Sequence, residues 1–295
     1  MAKETAGIGR ITLIGVGLIG GSFVLDLKRQ GRVRQVVGVD CDAANLARAL
    51  ERRVIDEAYG EICAGAVAGS DMVLIATPVA ALPAVCRSLA PLLRPGVPVS
   101  DVGSTKQSVL AAFSDGLPQH LPWCVAAHPI AGSDRHGALA AQFGLYQDKK
   151  LILCPHETQD AGALATVAGL WRAVGAEVYE MAAAEHDAVF AAVSHLPHVL
   201  AFAYVNQIAG HADGARFLDF AASGFRDFTR IASSHPAIWR DICLANRQDV
   251  SALLAGHIRE LESVRTLLET ADSAALYRYF ERAKTARDDW LDAQV

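Results

Sequence analysis

Three glycines near the N-terminus constrain the fold more than any other feature of the sequence. Gly15, Gly17 and Gly20 follow a short apolar run and open a stretch with helical spacing. In a GxGxxG turn the first glycine permits the tight turn, the second lets the backbone approach a pyrophosphate, and the third lets helix and strand pack closely. The helix N-terminus, where Leu18 and Ile19 lie, faces the negative charge of such a ligand. The motif therefore predicts a strand–turn–helix unit that binds a dinucleotide.

A carboxylate beyond the second candidate strand supports this interpretation and selects the cofactor. Asp40 lies twenty residues after Gly20, where a carboxylate accepts hydrogen bonds from the adenosine ribose hydroxyls. Asp42 follows, and no arginine is present there to meet a 2′-phosphate, which two carboxylates would repel. The sequence thus favours NAD over NADP. Thr77, at the end of another candidate strand, is expected to line the same site.

Short apolar runs alternate with amphipathic stretches through about the first 180 residues. Near-continuous apolar strands separated by helices indicate a parallel sheet covered on both faces. We therefore expect a doubly wound, mainly parallel α/β domain. The candidate strands are Arg10–Ile14, Gln35–Val39, Asp71–Ala76, Val97–Asp101, Trp123–Ala127, Lys150–Cys154 and Glu177–Glu180.

The rhythm changes after about Met181, beyond which no convincing strand is found in the sequence. Long stretches with a 3.6-residue period cover Ala183–Ile208, Ala237–Leu268 and Ser273–Asp292. This pattern predicts an all-helical second domain. We place the domains at residues 1–181 and 182–295. No linker rich in Gly, Pro or Ser separates them, so a shared cleft is expected.

Composition excludes several classes of partner. The formal charge of −5, with no cluster of basic residues, argues against nucleic acid. The six cysteines show no CxxC pair, as expected for buried thiols in a reducing cytoplasm. The apolar segment Ile11–Leu25 lacks a basic start and a cleavage site, and its glycines suit a turn better than a membrane helix. We expect a cytoplasmic protein without a membrane span.

Three polar segments follow candidate strands, at the sheet edge where open α/β folds bind ligands. They are Ala76–Val79, Asp101–Lys106 and His128–Asp134. His128 lies directly after a strand and before a loop rich in Pro and Gly, where a core histidine is not expected. Histidine is also the side chain best matched to proton transfer near neutral pH. Ser104 is either a hydrogen-bond partner of the same reacting oxygen or the N-cap of the next helix.

The helical domain adds three candidate site histidines, His186, His195 and His198. The last two are three residues apart and share one helix face. Pro197 lies between them and should kink that helix, because proline lacks a backbone N–H. No nearby Asp, Glu or Cys completes a metal site of the usual kind, so polar contacts with a substrate are favoured over a metal.

Two arginines lie in the segment 224–232, GFRDFTRIA, which we interpret as a polar loop. A guanidinium is the natural clamp for a substrate carboxylate. Arg226 has the simpler explanation of an ion pair with Asp227. Arg230 is therefore the candidate for the substrate.

Together these motifs resemble the prephenate dehydrogenase family over essentially the whole chain. Their order and spacing make the resemblance specific. The resemblance implies a Rossmann domain, a helical dimerisation domain that forms a homodimer, and an active site between the two. It implies NAD-dependent oxidative decarboxylation of prephenate, or of its amino analogue arogenate, in tyrosine biosynthesis. The matching segments are GVGLIGGS (15–22), VD (39–40), ATPV (76–79), DVGSTK (101–106), HPIAGSD…G (128–137), LY..KK (145–150), EHD (185–187), SHLPH (194–198), GFRDFTRIA (224–232) and WRDI (239–242).

The resemblance also assigns roles to individual residues. His128 matches the histidine that takes the proton of the ring hydroxyl, and Ser104 the serine beside it. Arg230 matches the arginine that binds the ring carboxylate, and His198 a histidine near the side-chain end of the substrate. Asp134 lies where glutamate is commoner in the family.

The side chain of the substrate is where prephenate and arogenate differ, because one carries a keto oxygen and the other an ammonium. Asp134 offers an acceptor, whereas His195, His198 and His136, which stands where many relatives have serine, offer donors. We expect activity on both substrates with prephenate preferred, because the histidines outnumber the carboxylate.

Two other functions remain open. A β-hydroxyacid dehydrogenase also joins a Rossmann domain to helices, but it is expected to carry a catalytic lysine in its helical domain and a different glycine motif after the fifth strand. A non-catalytic NAD-sensing or dimeric interaction protein would not need His128, Ser104 and Arg230 together.

Overall fold

The computed structural model describes residues 7–132 and 137–293. The chain divides into two compact units, of which the first ends at Arg247 and the second begins at Gln248. The predicted domain boundary after residue 181 lies inside the first unit, at the junction between its last strand and the helices that follow.

An eight-stranded sheet forms the first unit, in the order β3-β2-β1-β4-β5-β6-β7-β8. All neighbours pair in parallel except β6 and β7, which are antiparallel. The first six strands thus have the 3-2-1-4-5-6 order of doubly wound dinucleotide folds, which confirms the predicted fold class. In chain order the strands are β1 (Ile8–Ile14), β2 (Val33–Val39), β3 (Glu57–Tyr59), β4 (Met72–Ile75), β5 (Val99–Asp101), β6 (Cys124–Pro129), β7 (Lys150–Cys154) and β8 (Glu177–Glu180).

The strands are apolar on both faces because each face is covered by helices. In β4, Leu74 faces one hydrophobic cluster, while its neighbours Val73 and Ile75 face the other. In β6, Val125 and Ala126 divide between the clusters in the same way. Alternation of side chains along a strand explains this division. It also explains why these strands lack the alternation of polar and apolar residues seen in one-sided sheets.

Eleven α-helices of the described chain begin and end before the unit boundary. They are α1 (Leu18–Arg29), α2 (Ala43–Glu51), α3 (Ala64–Val67), α4 (Leu82–Leu89), α5 (Gln107–Gly116), α6 (Ala161–Ala173), α7 (Ala183–Phe190), α8 (Leu196–Ala209), α9 (Gly214–Asp219), α10 (Ser223–Thr229) and α11 (Pro236–Ala245). Short 3₁₀ turns cover Val79–Ala81, Leu121–Trp123, Ala138–Ala140 and Arg230–Ser233.

Every predicted strand is present, to within a few residues at its ends, and one was missed. β3 is only three residues long and half-buried at the edge of the sheet, so it lacks an apolar run. The antiparallel pairing of β7 with β6 was also not predicted, because both strands are buried apolar runs whichever way they pair.

Three helical predictions need correction. The stretch Ala183–Ile208 is not one regular helix, because a π-helical segment, Ala191–His195, separates α7 from α8 just before Pro197. The stretch Ala237–Leu268 is two helices, since Asn246 leaves helical geometry and uses its side chain elsewhere. The segment 224–232 is not a loop but α10 and the 3₁₀ turn after it, which place its aromatic residues and arginines on a helical surface.

By length and composition, one described stretch could cross a membrane. It is Ala183–Ala209, of which about a fifth (22%) of the most apolar window is buried. Its first turns carry His186 and Asp187, which are fully buried and hydrogen-bonded within the protein. These contacts fit a helix of the protein interior.

The second unit consists of most of α12 (Arg247–Glu269) together with α13 (Ser273–Asp292). Val250 is the single buried residue of α12, and α13 has none. Two helices cannot enclose a core of their own, so large apolar side chains stay exposed. They include Ile258, Leu261, Leu268, Tyr277, Phe280 and Trp290.

A buried ion pair ties β5, β6 and α5 together. The Lys106 ammonium, which is fully buried, donates to Asp101 Oδ2 at 2.6 Å and to the Ala127 carbonyl at 2.7 Å. Asp101 Oδ1 accepts a hydrogen bond from the Ala127 backbone N–H at 2.9 Å. β5 ends at Asp101, so these two side chains satisfy the backbone of β6 where the strand ladder stops. Ala127 is the residue immediately before His128.

We expect Lys106→Met to lower the free energy of unfolding by about 3–5 kcal/mol, because it leaves the Asp101 carboxylate buried without its cation. Chemical denaturation measures the change. Lys284→Met is the matched control, since Lys284 pairs with Asp288 on the exposed surface of α13 and should change stability by less than about 0.5 kcal/mol. Equal effects of the two substitutions would mean that the buried pair does not hold the sheet edge.

Candidate active site

The three glycines of the turn between β1 and α1 have the distinct roles that the motif predicts. Gly15 has a φ of +88°, and a Cβ there would lie 2.7 Å from the Ala76 carbonyl oxygen. A Cβ at Gly20 would collide with the Leu13 side chain, so this glycine lets α1 pack on the strand. A Cβ at Gly17 would meet nothing within 4 Å. Gly17 thus faces open space, where a ligand can approach the backbone.

The N-terminus of α1 is available to an anion. Gly17 is the N-cap residue and contributes no side-chain hydrogen bond to the first turn. Leu18 is buried and Ile19 packs against the core, so their side chains face inward. Uncapped N–H groups and the helix dipole make this end a phosphate-binding site.

Asp40 is held in place by three donors. Its Oδ2 accepts from the Val16 N–H at 3.0 Å and from Asn45 Nδ2 at 3.1 Å, while Oδ1 accepts from the Asp42 N–H at 3.0 Å. A carboxylate accepts about four hydrogen bonds, so Oδ1 keeps capacity for a ribose hydroxyl. The Asp42 carboxylate caps α2 through the Ala44 and Asn45 N–H groups.

Asn45 was missed by the sequence analysis. Its amide donates to the Val16 carbonyl at 2.8 Å, and its Oδ1 accepts from the Ala138 N–H at 2.8 Å. It therefore links the glycine turn to the segment that follows residue 137. The only signal in the sequence is its position in the first turn of the helix after Asp40 and Asp42, where many polar residues are plausible.

A cleft of about 440 Å³ adjoins these groups. Four of the predicted cofactor residues line it: Gly15, Gly17, Asp40 and Thr77. The other three, Leu18, Ile19 and Gly20, do not line it and pack toward the core. The Thr77 hydroxyl is buried without a hydrogen-bond partner in the described chain. An open backbone at Gly17, a fixed carboxylate and an unsatisfied hydroxyl fit a dinucleotide.

His128 begins a chain of hydrogen bonds at the end of β6. Its Nδ1 lies 2.8 Å from Nε2 of His186, and Nδ1 of His186 lies 2.8 Å from Oδ1 of Asp187. The ring of Phe190 packs edge-on against His128, with centroids 4.8 Å apart. Burial lowers the pKa of His128 well below 6.5, and the charges of Lys106 and His186 lower it further.

Asp187 also caps α5, although it belongs to α7. Its carboxylate accepts from the backbone N–H groups of Lys106 at 2.7 Å and Gln107 at 2.9 Å. Ser104 does not cap this helix. The N-cap residue of α5 is Lys106, and its side chain makes no capping hydrogen bond. Of the two interpretations of Ser104, the structure thus removes the N-cap and leaves the contact with a reacting oxygen. The residue is half-buried, and its backbone carbonyl is an acceptor for the ring of His195.

His195 is buried behind the same site. Asn246 donates one hydrogen bond to the Asp187 carbonyl at 2.8 Å, and its amide lies 3.2 Å from Nδ1 of His195. The amide is a donor, so Nδ1 is the acceptor and the His195 proton lies on Nε2. The backbone carbonyl of Ser104 acts as an acceptor for the His195 ring. Burial lowers the pKa of His195 to about 4, so the ring is neutral near pH 7.

His198 stacks on Trp239 of α11, with ring centroids 3.4 Å apart. Its Nδ1 donates to the Ser194 carbonyl at 2.9 Å. Burial lowers its pKa; the Ser194 carbonyl opposes that change, and the charge of Arg230 adds to it. The neutral ring therefore presents an unprotonated Nε2. The prediction that His198 is a hydrogen-bond donor is wrong for this state.

The two arginines of the segment 224–232 differ as predicted. Arg226 pairs with Asp227 at 3.3 Å, and both side chains are exposed. Arg230 lies at the start of the 3₁₀ turn, and its charge lowers the pKa of His198. It pairs with no carboxylate between residues 7 and 132 or between 137 and 293. Asp134 and His136 lie outside the described residues.

Both halves of the chain match family models. The model described as the nucleotide-binding domain of prephenate dehydrogenase matches residues 23–180, and the model described as its dimerization domain matches residues 182–282. Among curated relatives, the prephenate dehydrogenase of Bacillus subtilis is 38% identical over 281 residues, which cover 94% of this chain and 75% of the relative. The cyclohexadienyl dehydrogenase of Zymomonas mobilis is 34% identical over 279 residues, which cover 94% of each chain.

A solved structure of similar sequence has the same fold. The prephenate dehydrogenase of Aquifex aeolicus, crystallised with hydroxyphenyl propionate and NAD⁺, is 31% identical and superposes with a TM-score of 0.89, covering 95% of this chain and 98% of that one. The order of strands, the glycine turn, the histidines and these matches over the whole length lead to one conclusion. The chain belongs to the prephenate dehydrogenase family.

Proposed function

We propose that this protein catalyses the NAD-dependent oxidative decarboxylation of prephenate to 4-hydroxyphenylpyruvate in tyrosine biosynthesis. The observation that carries the proposal is the geometry at His128. Its Nδ1 is engaged by His186, so Nε2 remains for a substrate hydroxyl at the carboxyl end of the sheet. The glycine turn supplies a dinucleotide cleft, and Arg230 lies close enough to His198 for its charge to lower the pKa of that histidine.

NAD is the cofactor that the cleft fits, and when bound it supplies the hydride acceptor. The N-terminus of α1 and Gly17 would hold the pyrophosphate, Asp40 the adenosine ribose, and the Thr77 hydroxyl a polar group of the cofactor. The carboxylates of Asp40 and Asp42 disfavour a 2′-phosphate.

His128 acts as the general base. It takes the proton of the ring hydroxyl through Nε2 as the carbon that bears this hydroxyl loses a hydride and becomes a carbonyl. Ser104 donates a hydrogen bond to the same oxygen. The ring carboxylate then leaves as CO₂, its bonding electrons make the ring aromatic, and the phenolate oxygen takes the proton back from His128. His128 is therefore unprotonated at Nε2 both before and after the reaction.

Arg230 binds the ring carboxylate. Its guanidinium is exposed and has no partner carboxylate in the described chain. An exposed arginine suits this role, because a pair that strongly favoured the bound carboxylate over the departing CO₂ would slow the reaction.

His198 is expected at the side-chain end of the substrate. Its neutral ring offers an acceptor at Nε2, which suits the ammonium of arogenate. His195 keeps its proton on Nε2, but it is buried and the Ser104 backbone carbonyl is an acceptor for its ring. We still expect activity on both substrates, but the preference for prephenate no longer follows from a majority of donors.

A β-hydroxyacid dehydrogenase is disfavoured by the position of its expected lysine. Residues 182–295 contain one lysine, Lys284, which is exposed and paired with Asp288. The buried Lys106 is held by Asp101 and cannot reach a substrate without breaking that pair.

The appearance of NADH when the protein is mixed with NAD and prephenate tests the proposal. We expect turnover with prephenate, slower or comparable turnover with arogenate, and none with 3-hydroxyisobutyrate. Turnover of the hydroxyacid alone would favour the rival enzyme, and NAD binding without turnover of any of them would favour a sensor.

We also propose that the protein is a cytoplasmic homodimer that associates through its helical domain, residues 182–295. The two helices of the second unit expose a row of large apolar side chains, and exposed apolar patches of this kind mark protein interfaces. The matched family domain is described as a dimerization domain, so a second copy of the chain is the proposed partner.

Replacing His128 should remove proton transfer and little else. We expect His128→Asn to lower kcat by roughly 10²–10⁴, the usual contribution of a positioned base, while the Kd of NAD stays within about twofold. Steady-state kinetics and NAD titration measure the two quantities, with the exposed His211→Asn as control. A wild-type kcat in the first variant would exclude His128 as the base.

Arg230→Gln should chiefly weaken prephenate binding, because a charge-assisted pair is worth about 1.5–3 kcal/mol. The KM for prephenate should rise by roughly 10- to 100-fold, while Arg216→Gln on α9 leaves it unchanged. If KM stays within twofold of wild type, Arg230 has a structural role instead.

Sedimentation at micromolar concentration should show a species of twice 31.3 kDa. Leu261→Glu, on the exposed apolar face of α12, should shift this species toward the monomer, whereas Lys284→Glu should not. A monomeric wild-type protein would contradict the proposed assembly.

A further inference from the structure

We propose that Asp187 and His186 are positioning residues for the reaction, which fix the proton of His128 on Nδ1 and balance the charge of His128 while it holds the substrate proton. The proposal rests on the proposed role of His128 as the base. It adds a three-member chain, Asp187–His186–His128, that runs from the N-terminus of α5 to the reacting oxygen.

The chain starts from a carboxylate that can only accept hydrogen bonds. Asp187 is fully buried and accepts from three donors: the Lys106 and Gln107 backbone N–H groups and Nδ1 of His186. Burial raises the pKa of Asp187, but the hydrogen bonds from His186 and the two N–H groups lower it to below 3.8 in sum. The carboxylate is ionised at any pH near neutrality.

The tautomers of both histidines follow from this anchor. An ionised carboxylate holds the proton of His186 on Nδ1, so Nε2 of a neutral His186 has a free lone pair. That nitrogen lies 2.8 Å from Nδ1 of His128, and a hydrogen bond between them requires the proton to lie on Nδ1 of His128. Nε2 of His128 is then left unprotonated. A base must have this tautomer, and the opposite one would present a proton to a hydroxyl.

The surroundings keep His186 neutral. Its ring is fully buried and packs on Phe190, with centroids 4.5 Å apart. Burial lowers the pKa of His186; Asp187 and Asp101 oppose this, and the Lys106 ammonium adds to it. The groups that face His128 are Lys106, His186 and His195, and all three oppose its protonation.

The same groups explain why a compensating anion is needed. When His128 takes the substrate proton it becomes a cation in a half-buried position, where the charge of Lys106 acts on it. Lys106 is already neutralised by Asp101, so Asp101 cannot serve His128 as well. Asp187 is the carboxylate of the three-member hydrogen-bonded chain, and it acts on His128 through the polarisable ring of His186.

Two substitutions at one position separate positioning from packing. In His186→Gln the amide N–H₂ can donate to Asp187 and the carbonyl oxygen can accept from His128, so the pattern of the chain survives. In His186→Leu both hydrogen bonds are lost. We expect kcat to fall by less than about tenfold in the first variant and by roughly 10²–10³ in the second, within the range of a positioned base.

His120→Leu is the matched control, because His120 is a buried histidine whose Nε2 donates to the Val97 carbonyl at 2.7 Å, away from the site. It should lose a similar amount of stability to His186→Leu and keep its kcat. If His186→Gln and His186→Leu lose kcat equally, or if neither loses it, His186 has only a structural role.

A double-mutant cycle separates this inference from the proposed function. In a His128→Asn background, His186→Leu should lower kcat by no more than about twofold, since a residue that acts through His128 has nothing left to act on. Additive losses would overturn the chain and leave His128 as the base. An inactive wild-type protein would instead overturn the proposed function.

The wild-type protein also gives a readout that needs no substitution at His186. Nitrogen NMR of ¹⁵N-labelled protein with NAD bound, with the His128 signals identified by their loss in His128→Asn, reports which ring nitrogen carries the proton. The expected tautomer is Nδ1–H for His128. An Nε2–H tautomer in the bound protein would contradict the chain.

Discussion

The site depends on the way in which one buried cation, Lys106, is neutralised. Asp101 holds its ammonium, and the same two side chains satisfy the N–H and the carbonyl of Ala127 where the strand ladder ends. The backbone N–H of Lys106 donates a hydrogen bond to the Asp187 carboxylate. Because Ala127 precedes His128, the position of the base is set by charges rather than by apolar packing. A buried pair of this kind contributes little net stability, so its value lies in holding the start of α5 against the ends of β5 and β6.

The chemistry of the histidines follows from their neighbours. His128 is half-buried and His195 is buried, and burial lowers the pKa of both, yet one is expected to accept a proton and the other to donate a hydrogen bond. The difference comes from what lies behind each ring, which is an acceptor for His128 and the amide donor of Asn246 for His195. His195 and His198, three residues apart, both contact the Trp239 ring, with centroids at 6.2 and 3.4 Å, and they differ in their hydrogen-bond partners.

Features that depend on local sequence could be predicted, whereas features that depend on long-range pairing could not. The glycine turn, the apolar strands and the ion pair of Arg226 with Asp227 involve residues close together in the chain. The role of Asp187 depends on Lys106, which is 81 residues away, and the three-residue strand β3 is defined only by its partner β2. The helix at residues 223–229 was taken for a loop because its polar residues mask a helical period. The motif EHD (185–187) marked His186 as a candidate, but it did not show its hydrogen bonds with His128 and Asp187.

The pH dependence of kcat/KM for prephenate at saturating NAD tests most directly the claim that His128 is a neutral base with a lowered pKa. Activity requires the unprotonated ring, so the rate falls as pH drops through the pKa of His128. Burial and the charges of Lys106, His186 and His195 all lower that pKa below 6.5. The account predicts an acidic limb with an apparent pKa clearly below 6.5, and its loss in His128→Asn. A limb at or above 6.5 that persists in this variant would contradict it.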